Sequence, residues 1–296
     1  MKKLMTGNEA VARGAYEAGI SFASAYPGTP STEILENIAQ YKDIVAEWAP
    51  NEKVALETAI GASIAGARAL ASMKMVGVNV AADPLLTYAY MGVNGALILV
   101  SADDPGMASS QNEQDNRYYA KFAKIAMLEP SDSQECKDMI KAAVKISERF
   151  DTSILFRMTQ RVCHSKSLVE LGERGEVPIK EYVRNNPKYD AMPAYSRALR
   201  IKLEDRLAKL EEFSNETDLN FIEWNDRKIG IITSGVAYQY AKEVFGDKAS
   251  YLKLGFTYPL PMKKIEYFAS QVETLYVIEE LEPYLEEQIK AHGIKC

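Results

Sequence analysis

Between Asn51 and Leu70 the chain reads Asn-Glu-Lys-Val-Ala-Leu-Glu-Thr-Ala-Ile-Gly-Ala-Ser-Ile-Ala-Gly-Ala-Arg-Ala-Leu. This predicts a helix over 52–70, built almost entirely of small residues behind an acid. Gly61 and Gly66 each cost a helix interior about 1 kcal/mol relative to Ala. A surface this small suits the close approach of another backbone, a subunit or a flat ligand. Tight packing of a buried helix on a sheet is the plain alternative. Ahead of it, Tyr26-Pro27-Gly28-Thr29-Pro30-Ser31-Thr32-Glu33 reads as a rigid turn at a strand end that opens a helix, with an acid in its first turn.

The flanking pattern alternates. Helices are predicted over 8–20, 30–40, 83–93 and 134–149, and strands over 20–26, 44–48, 73–80, 96–102 and 153–159, with a polar loop over 103–116. Ala96 to Ala102 is a continuous apolar run of parallel-strand character. Strands alternating with helices imply a parallel sheet covered on both faces, an α/β fold. The loops at 26–32, 77–84 and 102–115 then gather at the carboxyl edge, where open α/β sheets bind ligands. From Ser165 the chain becomes charged, with Asn185-Asn186-Pro187 and a helix predicted over 195–213 that spaces Leu199, Leu203, Leu207 and Leu210 on one side. A second α/β unit follows, with strand and turn over 228–235, strands over 251–254 and 275–279, and helices over 236–245, 262–270 and 282–292. The expected organisation is a first domain over 1–165, a structured connector over 166–225 and a second domain over 226–296. Gly230 and Gly235 do not complete G-x-G-x-x-G, which argues against a dinucleotide loop there.

The 296 residues suffice for two domains with cores, and 47% apolar with 26% charged residues is ordinary for a soluble globular protein. A formal charge of -6 argues against nucleic acid or an anionic membrane as partner. No apolar run approaches a membrane span, and Glu9 comes too early for a signal peptide. Cys136, Cys163 and Cys296 are widely spaced, which suggests reduced thiols and a cytoplasmic location. They lack the close spacing of an iron–sulfur motif. With only His164 and His292 besides, no metal ligand set is expected in this chain, and His164 is expected at a surface or domain edge.

The turn and the small-residue helix resemble the pyrimidine-binding domain of thiamine-diphosphate enzymes in the 2-oxoacid:ferredoxin oxidoreductase superfamily. The shared elements are a Tyr-Pro-x-Thr-Pro turn, an acid, an Ala/Gly-rich helix and a Gly-containing loop. With the acid at Glu52, Gly61, Gly66 and Gly77 fall on the family's glycines. Val76-Gly77-Val78-Asn79-Val80-Ala81-Ala82-Asp83-Pro84-Leu85, Ala102-Asp103-Asp104-Pro105-Gly106, Ser109-Ser110-Gln111-Asn112-Glu113-Gln114-Asp115 and Leu128-Glu129-Pro130-Ser131-Asp132 narrow the resemblance to large subunits of the aryl-pyruvate, indolepyruvate-type branch. The second domain resembles the transketolase C-terminal-like domain of the same family. The resemblance covers nearly the whole chain and is strongest before Ser165.

The resemblance implies thiamine-diphosphate-dependent oxidative decarboxylation of indolepyruvate and other aryl pyruvates to aryl-acetyl-CoA. Electrons would leave through 4Fe-4S clusters to ferredoxin. It implies Mg2+ with the cofactor, a small (beta) subunit, coenzyme A, and a homodimer sharing the cofactor face. It also implies that a diphosphate-binding domain and a ferredoxin segment lie elsewhere, so residues 1–296 alone are expected to bind thiamine diphosphate weakly and to be inactive. A non-catalytic assembly module, or a relative acting on pyruvate or another 2-oxoacid, remain open alternatives.

By the same resemblance Glu52 is the carboxyl group at N1' of the aminopyrimidine, the contact that lets the cofactor's own amino group remove its C2 proton. A carboxyl sharing a proton with a ring nitrogen is expected to be poorly solvated; a first-turn acid favouring the helix dipole is the alternative. Glu57 is the rival acid. Five residues at about 100° each put it about 140° around the helix from Glu52, so the two cannot serve one nitrogen. Gly28 and Thr29 are expected beside cofactor and substrate, with Thr29 as a helix cap the alternative, and Gly77 and Asn79 beside the pyrimidine. Relatives using pyruvate or 2-oxoglutarate carry an arginine where this chain has Ala102-Asp103-Asp104, and an acid there is expected to repel a carboxylate. Gln111, Asn112 and Arg117 are the candidates to replace it.

Overall fold

The computed structural model describes all residues 1–296. The chain opens with β1 (Lys2–Thr6) and α1 (Gly7–Glu17), then β2 (Phe22–Ala25), α2 (Thr32–Ile38), β3 (Val45–Trp48), α3 (Glu52–Ile64) and β4 (Ala69–Lys74). The helices α4 (Met75–Val80) and α5 (Ala82–Met91) lead into β5 (Leu97–Asp103). Next come α6 (Arg117–Ala123), β6 (Ala126–Leu128), α7 (Ser133–Phe150), β7 (Ile154–Thr159), α8 (Gln160–His164) and β8 (Lys166–Glu170). The stretch that follows carries α9 (Asn186–Tyr189), α10 (Pro193–Glu216) and β9 (Asn220–Glu223). The last part holds β10 (Ile229–Ser234), α11 (Ala237–Phe245), β11 (Ser250–Leu254), β12 (Phe256–Tyr258), α12 (Met262–Ala269), β13 (Thr274–Ile278) and α13 (Tyr284–Ala291).

The main sheet has seven strands in the order β12-β6-β7-β5-β4-β2-β3, parallel except for the antiparallel edge strand β12. Its central strands are buried from end to end, as their unbroken apolar sequences require. One face packs Ala10 and Val11 of α1, Ile34 and Leu35 of α2, and Ile140 and Val144 of α7. The other packs Leu56 of α3, Leu85 of α5 and Ala120 of α6. A second sheet, β13-β10-β11-β9, carries the last unit, whose Leu252, Phe268 and Leu285 belong to the same apolar cluster as Leu56 and Leu85. No helix is long and apolar enough to cross a membrane.

Local chemistry fixes the helix starts. Thr6 and Glu9 form a capping box on α1, Asn51 accepts from the Val54 amide at the head of α3, and Asp132 accepts from Glu135 at the head of α7. The long helix expected over 52–70 instead ends at Ile64. Gly66 turns the chain at φ +101°, and a Cβ there would lie 1.9 Å from the Lys180 carbonyl oxygen. The strand expected over 73–80 is displaced. β4 occupies Ala69–Lys74, paired Ala69 to Leu97 and Phe22 to Ala69, and the Gly77 segment forms α4 instead. An apolar, β-branched run of this length does not by itself distinguish a strand from a short buried helix. Five short strands were not legible: β1 and β8, which pair antiparallel with each other, and β6, β9 and β12. β9 falls in the stretch expected to be a connector and is an edge strand of the second sheet, and β12 of the last unit extends the first.

Candidate cofactor and substrate site

The strand order places a reversal between β2 and β4. From β2 the chain moves outward to β3, then crosses back to β4 on the other side. The loop after β2 leads to α2 on one face, and the loop after β4 leads to α4 and α5 on the other. A crevice opens between such loops at the carboxyl edge, and most of the sequence-predicted site residues lie around it.

Glu52 is the first residue of α3 and is half-buried. Its carboxylate makes no hydrogen bond or ion pair within the chain, and its oxygens are not among the buried unsatisfied atoms, so it remains open to solvent or to a ligand. Gly77 of α4 lies against it, where a Cβ would come within 2.6 Å of Glu52 Cγ and 2.7 Å of Oε1. The glycine thus leaves the carboxylate its space. The enclosure expected around Glu52 is not supplied by this chain alone. Glu57 is exposed and lies 3.9 Å from Lys53.

The turn after β2 is held by the Gly28 amide donating to Thr32 Oγ1 and by Ser31 Oγ donating to the Gly28 carbonyl. Thr29 is exposed, its hydroxyl makes no hydrogen bond within the chain, and the Thr29–Pro30 bond is cis. Gly28 abuts Lys74, the last residue of β4, with a built Cβ 3.1 Å from Lys74 Cβ. Asn79 stands on α4 rather than on a strand-end loop; it is exposed and accepts from the Tyr119 hydroxyl at 2.8 Å.

The two acids after β5 do not face a ligand. Asp103 and Asp104 are fully buried. Asp103 accepts from Arg157 Nε at 2.9 Å and from the Asn116 amide at 3.0 Å. Burial pushes its carboxyl up to about 6, against the pull of Arg157. Asp104 ties the next loop together, accepting from the amides of Ala108 and Ser109 and from the Ser110 hydroxyl. Burial raises it, but those bonds and the Lys74 charge prevail and hold it below the usual carboxylate range. The expected repulsion of a carboxylate by this pair is thus corrected: both charges are compensated inside the protein.

Gln111 and Asn112 are exposed on the same loop. Arg117 is not available to a substrate. Its side chain is fully buried, pairs with Asp115 and with Glu279 (2.7 Å), and donates to the carbonyls of Glu280 and Glu282. Sequence reasoning also missed Arg157, which bridges Asp103 and Glu129 (2.7 Å). The available signal was a single charge inside the apolar strand Ile154-Leu155-Phe156-Arg157-Met158. No group of three or more His, Cys, Asp or Glu side chains is arranged to hold a metal ion.

Residues 13–225 match the family model described as pyruvate flavodoxin/ferredoxin oxidoreductase, thiamine diphosphate-binding. The chain belongs to this family. Among curated relatives of this oxidoreductase family it is 44% identical to indolepyruvate oxidoreductase subunit IorA of Archaeoglobus fulgidus, over 99% of this chain and 49% of that protein. It is 45% identical to the subunit of the same name from Pyrococcus horikoshii, over 98% and 47%. The 2-oxoglutarate synthase subunit KorA of Archaeoglobus fulgidus is 25% identical over 94% and 87%. The chain spans about half the length of its IorA-named relatives. A solved 2-oxoglutarate:ferredoxin oxidoreductase from Magnetococcus marinus, with 2-oxoglutarate, coenzyme A and succinyl-CoA bound, shares the fold at a TM-score of 0.79 and 18% identity, over 98% of this chain and 60% of that one.

Proposed function

We propose that this chain supplies the aminopyrimidine-facing half of an aryl-pyruvate, indolepyruvate-type ferredoxin oxidoreductase. The observation that carries the reading is the unpaired Glu52 carboxylate beside Gly77, in a family member that is 44% and 45% identical to two proteins named indolepyruvate oxidoreductase subunit IorA. These residues fit the group. A carboxylate with free lone pairs can hold a proton at N1', and the glycine beside it leaves room for a flat ring. Thiamine diphosphate, when bound, supplies the nucleophilic carbon and the electron sink for decarboxylation. Within this chain Glu52 holds the proton at the ring nitrogen, and Gly77 and Gly28 keep the crevice clear. The exposed Thr29 hydroxyl orients the substrate, Asn79 borders the pyrimidine side, and Gln111 and Asn112 line the loop facing the incoming 2-oxoacid.

Mg2+ with the diphosphate, the 4Fe-4S clusters, the small subunit, coenzyme A and ferredoxin belong to other parts of the proposed assembly. The reading includes a homodimer, supported by the outward face of α3, where a Cβ at Gly61 would meet nothing within 4 Å, and a cytoplasmic location, supported by three free cysteines. In the complete complex, Glu52→Gln is expected to lower turnover of indolepyruvate by at least about a hundredfold, as loss of a positioned acid–base group does, while Glu57→Gln keeps it near wild type. The reverse pattern would refute the assignment. Light scattering of residues 1–296 at tens of micromolar tests the dimer, and a clean monomer would count against it.

A further inference from the structure

Lys74 stands where β4 ends, beside Gly28, and no sequence motif singled it out. It closes β4, the strand on one side of the strand-order reversal, and its stem runs along Gly28, which closes the turn on the other side. The residue is 8% exposed. Its ammonium carries three donors and makes one hydrogen bond, to the Ser109 carbonyl at 2.8 Å. Two donors are left unspent. A cation this buried is ordinarily saturated by partners.

The neighbouring charges sharpen the point. Arg117 is paired by Asp115 and Glu279, and Arg157 by Asp103 and Glu129. Both are closed within the protein. Asp104 lies close enough to feel Lys74 but takes its hydrogen bonds from its own loop, at Ala108, Ser109 and Ser110. Lys74 is therefore the cation of this edge with donors to give. It is also three residues from Gly77, whose α-carbon packs on the Glu52 carboxylate.

We propose that Lys74 is the specificity-determining residue that receives the carboxylate of the 2-oxoacid substrate, with the Thr29 hydroxyl on the opposite lip of the crevice. The inference rests on the reading of the chain as part of a 2-oxoacid oxidoreductase. An ammonium recognises a carboxylate as a point charge, without the two-pronged geometry a guanidinium imposes. This tolerates different tilts of the carboxylate under bulky 2-oxo side chains.

The test uses the complete complex with Lys74→Met, which keeps the aliphatic stem against Gly28, and Lys74→Arg, which keeps the charge. For Lys74→Met the KM for indolepyruvate is expected to rise by about tenfold to a hundredfold, the range for losing a charge-assisted hydrogen bond, with kcat changed by less than about threefold. Lys74→Arg is expected to recover part of the loss. Calorimetric titration of the complex freed of thiamine diphosphate, where no decarboxylation can occur, gives a second readout: the dissociation constant of indolepyruvate rises in Lys74→Met, while that of its neutral methyl ester does not. The half-saturating concentration of thiamine diphosphate is expected to stay constant. An unchanged KM in Lys74→Met overturns the proposal. So does a rise in the thiamine diphosphate requirement at constant KM, which would make the ligand a phosphate. A fall in thermal midpoint with proportional loss of kcat at constant KM also overturns it, leaving Lys74 as a structural counter-charge. A wild-type complex that turns over no 2-oxoacid overturns the functional reading itself and this inference with it.

Discussion

Asp103 shows how a buried acid can be held in place at a cost. Its carboxyl is enclosed, bonded to Arg157 and to the Asn116 amide, and pushed up to about 6 chiefly by burial. In the unfolded chain an aspartate titrates near 4. Between about pH 4 and 6 the folded state therefore binds more protons than the unfolded one. The contribution of this group to stability is fully present below about pH 4 and is lost as pH rises through 6. Asp103→Asn removes that dependence. The wild type is expected to lose stability relative to the variant across this interval, read as diverging urea midpoints at pH 4.5, 5.5 and 7. Parallel midpoints would show that the carboxyl is not titrating there. Glu52 contrasts with Asp103: it is half-buried and makes no hydrogen bond or ion pair within the chain.

At the scale of elements, the meeting of α3 with α4 sets the site. The first turn of α3 presents Glu52, and α4 brings Gly77 against it because β4 ends at Lys74 and the chain turns directly into a helix. Gly77→Ala places a methyl group about where Glu52 Cγ and Oε1 now lie. The carboxylate is the far end of a flexible side chain, so it moves rather than the backbone. The expected outcome is a turnover loss of about tenfold or more in the complete complex, in line with misplacement of a catalytic group, and a thermal midpoint within a few degrees of wild type. Gly66→Ala is expected to behave in the opposite way. It opposes φ +101° and a backbone carbonyl at 1.9 Å, neither of which can yield cheaply. Thermal unfolding of that variant is expected to move down by several degrees, the shift that corresponds to one or two kcal/mol in a chain of this size.

Over the whole molecule, the last α/β unit is fastened to the first by charge and by a common core. Arg117 leaves the 103–116 loop and is clamped by Glu279 and by the carbonyls of Glu280 and Glu282, just before α13. Glu279 also accepts from the Leu285 and Glu286 amides at the head of that helix. Removing one member of such a pair leaves a buried charge uncompensated, at about 3–5 kcal/mol. Arg117→Met is expected to lower the urea midpoint accordingly. The two units share one apolar cluster, and β12 of the last unit joins the first sheet while β9 of the connector joins the second, so calorimetry of residues 1–296 is expected to show one cooperative transition. Two resolved peaks would mean that the units are energetically separate.

Much of this was written in local sequence. Strand and helix alternation, the small-residue helix, its Asn51 cap and the turn at 26–31 follow from periodicity, capping and Gly/Pro chemistry, which act over a few residues. The placement of Glu52 at the head of α3 follows from the same rules. Local rules do reach the end of α3, though the expected helix ran past it: Gly66 follows the cap residue Ala65 at φ +101°, and the Gly66 and Ala67 amides donate back to the Ser63 and Ala62 carbonyls, a glycine stop. They could not separate β4 from α4, because an apolar run is committed to a strand only by neighbours to pair with, here β2 and β5. They could not show that Arg117 is spent on Glu279, 162 positions away, or that Lys74 spends only one donor, on the Ser109 carbonyl. A charge in a sequence has a type and a position. Whether it is paired, and so whether it is left for a ligand, is decided only when the fold brings its partners to it.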